Sequence, residues 1–135
     1  MNTVAVGVKN FSKKFHIDKN KEITVLRDIS FSAGYGEFVS ILGVSGSGKS
    51  TLLNCISSLS GPTEGVVTVN GCNPYQLKNN RLSQFRREDI SFIFQSYNLL
   101  PALPALENVA LPLRLSHKKI SKNDIQALLD KMNFK

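Results

Sequence analysis

Residues 43–50 read Gly43-Val44-Ser45-Gly46-Ser47-Gly48-Lys49-Ser50, a glycine-rich loop that ends in Lys-Ser. Glycine lets the backbone turn its N–H groups inward, and the dipole of a following helix favours an anion there. At this spacing Lys49 places a positive charge on the β and γ phosphates of a nucleotide, and the Ser50 hydroxyl can ligate Mg²⁺. Thr51 adds a second hydroxyl. The stretch predicts a loop that binds ATP and Mg²⁺.

The sequence on either side of the loop fits that prediction. Phe38-Val39-Ser40-Ile41-Leu42 is a short apolar run typical of a strand buried on both faces. Residues 50–59 carry apolar side chains at helical spacing, and Gly61-Pro62 ends the pattern. A phosphate-binding loop requires a strand before it and a helix after it, and both are predicted here.

Residues before this region predict an antiparallel layer. Valines at positions 4, 6 and 8 alternate with smaller or polar residues, which is the period of a half-buried strand over residues 3–11. A polar insert, residues 13–21, separates this strand from two further alternating stretches, residues 23–26 and 29–31. The three stretches are expected to form a twisted antiparallel sheet.

Residues after the helix alternate between predicted strands and predicted helices. Asn70-Gly71 is a tight-turn pair, and Ser121 is a helix N-cap. The predicted strands are residues 66–69 and 90–94, and Gln95 follows the second strand. The predicted helices are residues 79–88, 105–111 and 121–132.

Composition predicts one soluble domain over residues 1–135. Hydrophobic residues make up 41% and charged residues 20% of the 135 residues, and no apolar run approaches the length of a membrane span. The start of the chain lacks the pattern of a secretory signal, so the cytosol is the expected compartment.

Cys55 and Cys72 are expected to be free thiols. The charge of +7 is spread over lysines without interleaved aromatics, so no nucleic-acid partner is expected.

Several ordered blocks resemble one family, the ATP-binding subunits of ABC transporters. The loop with the first helix resembles the family's Walker A region, and residues 62–65 resemble its next turn. Residues 26–31 and 36–39 resemble the stretches that usually precede the loop in this family. Most specific is Phe92-Ile93-Phe94-Gln95-Ser96-Tyr97-Asn98-Leu99-Leu100-Pro101, which is similar to the Q-loop of the group that serves lipoprotein-release, macrolide-export and antimicrobial-peptide permeases. The resemblance implies an α/β P-loop NTPase fold of ABC type, with an N-terminal antiparallel β layer, an incomplete parallel core sheet and the start of a helical subdomain.

The same resemblance implies roles for residues outside the loop. Gln95 would contact Mg²⁺ and the attacking water and move with the permease. Phe15 falls where the family places an aromatic that stacks on adenine, with core packing as the alternative. Residues 97–106 would receive a coupling helix of an integral membrane permease subunit. The subunit would then lie at the cytoplasmic face of the membrane and pair with a second nucleotide-binding domain.

The resemblance covers the first part of the family domain. No Leu-Ser-Gly-Gly-Gln signature, no strand ending in Asp-Glu and no switch histidine follows in these 135 residues. We therefore expect negligible ATP hydrolysis by the chain alone and marginal stability. The leading interpretation is the N-terminal portion of a transporter ATPase subunit. A non-hydrolysing nucleotide-binding remnant or regulatory module is the alternative.

Overall fold

A computed structural model describes residues 3–119 and 121–133 of the chain. These residues group into two compact units, Met1–Ile90 and Ser91–Lys135, and each unit is described by itself. One domain over residues 1–135 stays a prediction.

The first unit is built on an antiparallel sheet of three strands. They are β1 (Val4–Asp18), β2 (Lys21–Gly34) and β3 (Glu64–Val69), in the order β2-β1-β3. Val8 of β1 is paired with Phe31 of β2 on one side and with Val67 of β3 on the other. The predicted antiparallel layer is confirmed, but residues 23–26 and 29–31 lie in one strand, β2, and the third strand of the sheet is β3.

Residues 13–21 were predicted as a polar insert, and this is wrong for most of the segment. β1 continues to Asp18, and the chain reverses through Lys19 and Asn20 into β2. The Asp18 carboxylate accepts a hydrogen bond from the backbone N–H of Lys19 at 2.7 Å, which supports the reversal. Polar side chains are compatible with a strand here because the outer part of this hairpin is exposed to solvent.

The helices follow the predicted pattern with two changes of boundary. In the first unit they are α1 (Lys49–Ile56) and α2 (Asn79–Glu88), with a 3₁₀ turn at Pro74–Gln76. In the second unit they are α3 (Ala105–Leu115) and α4 (Lys122–Lys131). The first helix ends earlier than predicted because Ser58 takes a left-handed φ of 63°. α3 continues past Pro112, whose carbonyl still accepts from the Ser116 N–H at 3.1 Å.

Two local predictions are confirmed in detail. The Ser121 hydroxyl accepts from the Asn123 N–H at 3.1 Å and so caps α4. Asn70 and Gly71 both have positive φ, and Val69 and Cys72 exchange backbone hydrogen bonds of 2.8 and 2.9 Å across them. Within the described residues, no helix is long and apolar enough to cross a membrane.

The core of the first unit joins the sheet to α1. Leu52 and Cys55 of α1 are buried against strand residues, so this contact holds the helix that follows the glycine-rich loop against the sheet. The buried cluster consists of Val8, Phe11, Leu26, Leu52, Cys55 and Val67. Both cysteines are free thiols, as predicted.

The strands predicted over residues 38–42 and 90–94 are not formed in the structure, so the described residues contain no part of the predicted parallel core sheet. Both runs lack regular secondary structure, and Phe38, Leu42 and Ile93 are 98%, 90% and 96% exposed. A strand needs a neighbour for its N–H and C=O groups. Over residues 3–119 and 121–133 no segment pairs with either run. The apolar composition of the two runs favours a strand, but a strand does not form without a paired neighbour.

Candidate phosphate-binding site

The glycine-rich loop delivers three backbone donors to one place at the start of α1. Gly48 is the N-cap, and the Leu52 N–H donates to the Gly48 carbonyl at 2.9 Å to close the first turn. The N–H groups of Lys49, Ser50 and Thr51 have no acceptor among the described residues, as is usual in the first turn of a helix. These donors lie at the positive end of the helix dipole, where an anion is stabilised.

Two loop glycines lie close to other side chains. A β-carbon on Gly43 would lie 2.5 Å from the hydroxyl oxygen of Ser47, an exposed side chain that can rotate away. Gly48 has a φ of +90°, and a β-carbon there would meet Leu26 at 2.7 Å and Val25 at 3.1 Å. Gly46 has a φ of +78° with open space around it, so this glycine is needed for backbone conformation alone.

The Lys49 ammonium lies over the loop. Its Nζ donates to the carbonyl oxygens of Gly43 at 2.8 Å and Val44 at 2.7 Å, and to the Ser47 hydroxyl at 3.3 Å. The positive charge is therefore held at the mouth of the loop, next to the free N–H groups of α1. This arrangement provides both the charge and the directional donors that a phosphate group needs.

A β-bulge in β2 supplies one wall of the site. Lys14 pairs with Thr24 and the adjacent Lys13 pairs with Leu26, which leaves Val25 as the extra residue. Val25 lines a pocket of about 190 Å³ together with loop residues. The lining loop residues are Gly46, Ser47, Gly48, Lys49, Ser50 and Thr51. Sequence reasoning missed Val25, because alternation in a strand does not reveal where an extra residue is inserted.

The remaining loop residues lie around this pocket. Gly43 contributes its carbonyl to Lys49, and Ser45 is exposed; neither lines the pocket. The exposed Ser50 is the second residue of α1, and its hydroxyl is an oxygen ligand of the kind that Mg²⁺ takes. The free N–H groups, the Lys49 charge and this hydroxyl together fit a Mg²⁺-bound triphosphate.

Phe15 lies on β1, opposite Ile23 of β2, and is not among the residues that line the pocket. Its side chain is 42% exposed and lies outside the buried cluster. The Lys13 ammonium sits 4.9 Å from the ring centroid and so covers one face of the ring. The stacking role of Phe15 stays a prediction.

Gln95 belongs to the second unit. It is exposed and lies in a turn in which the Tyr97 N–H donates to the Phe94 carbonyl at 3.4 Å. Tyr97 and Asn98 both have positive φ, at 61° and 52°. Tyr97 is 84% exposed and Leu99 66% exposed, so apolar side chains project from the segment that follows Gln95.

Asn108 of α3 fixes this segment with its side-chain amide. Its Oδ1 accepts from the Leu100 N–H at 2.8 Å. Its Nδ2 donates to the carbonyls of Leu100 at 3.1 Å, Leu103 at 2.9 Å and Pro104 at 3.3 Å. One side chain thus connects the loop of residues 100–104 to the first turn of α3. The sequence signal for this role, an Asn early in a helix after a proline-rich loop, was not recognised.

Comparison with known proteins places these features in a family. A family model described as ABC transporter matches residues 26–135. The chain is 42% identical over 129 residues to the macrolide export ATP-binding/permease protein MacB of Bdellovibrio bacteriovorus, covering 96% of this chain and 20% of MacB. It is 39% identical over 134 residues to the lipoprotein-releasing system ATP-binding protein LolD of Shewanella denitrificans, covering 98% of this chain and 57% of LolD.

A solved structure agrees with the sequence comparisons. The chain superposes with a TM-score of 0.81 and 41% identity on a dimeric, post-hydrolysis state of the ATP-binding cassette MJ0796 bound to ADP and Pi. The superposition covers 90% of this chain and 53% of that one. The predicted ABC-type fold is therefore confirmed, and the chain spans about half the length of the separate ATP-binding proteins that it matches.

Proposed function

The chain belongs to the ABC transporter family of ATP-binding proteins, and on that premise we propose that residues 43–51 bind the triphosphate of ATP for a transporter that couples ATP to a membrane permease. The observation that carries the proposal is the set of free N–H groups on Lys49, Ser50 and Thr51, with the Lys49 ammonium beside them. A positive charge beside several unpaired N–H donors is typical of an anion-binding site and not of an ordinary polar surface.

Each group in the loop has a part in binding. The N–H groups at the start of α1 donate to phosphate oxygens. On nucleotide binding, the Lys49 ammonium gives up its hydrogen bonds to the loop carbonyls and donates to the β and γ phosphates instead. This exchange is favourable because charge-assisted hydrogen bonds to phosphate are stronger than those to a neutral carbonyl. Val25 adds an apolar side chain to the lining of the pocket.

Mg²⁺ would be held by the Ser50 hydroxyl and by phosphate oxygens, where it would neutralise charge on the β and γ phosphates. We propose from the Q-loop resemblance alone that Gln95 contacts Mg²⁺ and the attacking water. The amide of Gln95 is a neutral oxygen ligand that also orients water, and it stands in an exposed turn where a change of conformation is not blocked by packing. The similarity of residues 92–101 to the family's Q-loop supports this assignment.

The segment after Gln95 binds the permease. Tyr97, Leu99 and Leu100 are 84%, 66% and 47% exposed, and Asn108 holds the loop that follows them. Exposed apolar side chains on an anchored loop are typical of a protein interface. A second nucleotide-binding domain is the other proposed partner, since the MJ0796 cassette is dimeric.

Isothermal titration with Mg·ATP tests the nucleotide site. Lys49→Ala should weaken binding by at least about tenfold, because a hydrogen bond to a charged group contributes about 1.5–3 kcal/mol. Lys19→Ala is the matched control, since Lys19 lies in the exposed β1–β2 turn. Equal affinity of Lys49→Ala and the unaltered chain would refute the phosphate site.

Co-purification from detergent-solubilised membranes tests the permease site. Tyr97→Asp should abolish recovery of a permease subunit with the tagged chain. Tyr35→Asp should leave it intact, since Tyr35 is 60% exposed but lies in the first unit. Recovery of the permease with both variants would show that residues 97–100 do not bind it. A chain that binds ATP but recovers no permease would favour the nucleotide-binding remnant.

A further inference from the structure

The end of α1 opposite the phosphate site is held by polar side chains from other elements. After Ile56 the chain turns through residues 57–61, which we call the helix-end turn. Ser58 in this turn is 4% exposed and has a φ of 63°, a conformation that non-glycine residues rarely adopt. Such a residue persists when its surroundings hold it in place.

Arg86 of α2 binds both oxygen atoms of Ser58. Its Nε donates to the Ser58 hydroxyl at 3.0 Å, and its Nη2 donates to the Ser58 carbonyl at 2.7 Å. Two bonds from one planar guanidinium to one residue define an orientation as well as a distance. The contact links α2 directly to the end of α1.

Tyr75 binds the same turn from a second direction. Its phenol oxygen lies within hydrogen-bond distance of the carbonyl oxygens of Ser60 in this turn, at 2.6 Å, and of Cys55 in the last turn of α1, so its single O–H is shared between these two acceptors. The ring also lies 3.7 Å from the position that a β-carbon on Gly61 would occupy. Burial of the ring raises the pKa of the phenol to about 12, so the donor stays protonated at neutral pH.

We propose that Arg86 and Tyr75 are positioning residues for the triphosphate, acting through α1. By holding the helix-end turn they set the direction of the free N–H groups of Lys49, Ser50 and Thr51 at the other end. α1 has eight residues and is about 12 Å long, so it behaves as a short rigid rod. The inference rests on the proposed function, because it requires that those N–H groups bind phosphate.

Apolar packing alone does not define this direction. α1 contacts the core through Leu52 and Cys55, and apolar contacts are non-directional, so they allow small rotations of a short helix. The two bonds from Arg86 and the shared O–H of Tyr75 are directional, so they restrict that freedom. Oriented donors stabilise phosphate most when they need no rearrangement on binding.

The test uses Arg86→Gln and Tyr75→Phe in the whole chain, with Arg87→Gln as matched control. Arg87 is exposed on the same helix, and its side chain has no hydrogen bond or ion pair among the described residues. Titration with Mg·ATP, followed by ¹⁵N–¹H NMR, reports both affinity and the amide resonances of residues 48–51. Circular dichroism selects a temperature at which every variant is fully folded, so a loss of stability alone does not change either readout.

We expect Arg86→Gln and Tyr75→Phe to weaken ATP binding by about two- to tenfold. Both should also shift the amide resonances of residues 49–51 in the nucleotide-free protein, and Arg87→Gln should change neither. Unchanged affinity and unchanged amide positions in both variants would overturn the inference. If the unaltered chain shows no saturable change with Mg·ATP, the proposed function fails instead, and the two failures are thereby distinguished.

Discussion

The Cδ2 atom of Leu26 lies 2.7 Å from the position that a β-carbon on Gly48 would occupy. Leu26 is 6% exposed and belongs to the core cluster, so it cannot move aside without disturbing the packing of α1. Val25, the bulged residue beside it, approaches the same position at 3.1 Å. Strand β2 therefore determines the shape of the phosphate-binding loop, although 22 positions separate Leu26 from Gly48 in the sequence.

Gly48→Ala should be much more destabilising than Gly46→Ala. Both positions have positive φ, so each substitution carries a backbone cost of about 1–2 kcal/mol. Only Gly48→Ala also forces a methyl group against Leu26 and Val25, which adds about 1–3 kcal/mol. Urea unfolding measures the difference between the two variants. Equal free energies of unfolding would show that β2 does not press on the loop.

Phe15→Ala should weaken ATP binding by about 1–3 kcal/mol if the ring stacks on adenine. Phe15→Tyr should preserve the affinity, because it keeps the aromatic face. Ile17→Ala serves as control, since Ile17 is 59% exposed two residues further along β1. Titration with Mg·ATP gives the affinities, and thermal unfolding gives the stabilities. A loss of stability in Phe15→Ala without any loss of affinity would assign the ring to packing.

Asn108→Ala should release the loop of residues 100–104. The change removes one acceptor and one NH₂ group that together serve four backbone partners, and each such bond contributes about 0.5–1.5 kcal/mol. Hydrogen exchange at the Leu100 amide should accelerate by at least about tenfold. Asn123→Ala, in the first turn of α4, should leave that amide unchanged. An unaltered exchange rate at Leu100 in Asn108→Ala would contradict the anchoring role.

Alkaline pH should weaken the fold through Tyr75. Burial raises the pKa of its phenol from 10 to about 12, so the folded chain holds this proton more tightly than the unfolded chain does. The resulting stabilisation is complete below about pH 10 and is lost as the pH rises towards 12. The free energy of unfolding should therefore fall more steeply over this range in the unaltered chain than in Tyr75→Phe. Urea unfolding at matched pH values compares the slopes, and parallel slopes would exclude Tyr75 as the titrating group.

The sequence alone was sufficient for the features that depend on neighbouring residues. The glycine-rich loop, α2, the Asn70-Gly71 turn and the Ser121 cap were all predicted, because each depends on contacts within a few residues along the chain. The ordered blocks around the loop and Gln95 were also enough to identify the family.

Tertiary structure decided the features that join distant parts of the chain. The extension of β1 to Asp18, the bulge at Val25 and the bonds from Arg86 to Ser58 depend on partners that local patterns do not identify. The runs at residues 38–42 and 90–94 show the same limit, since their composition predicts strands but the described residues provide no strand to pair with them. The propensity to form a strand depends on the residues of one segment, whereas a strand also needs hydrogen bonds to a neighbouring segment. Which segments become neighbours is determined only by the folded chain.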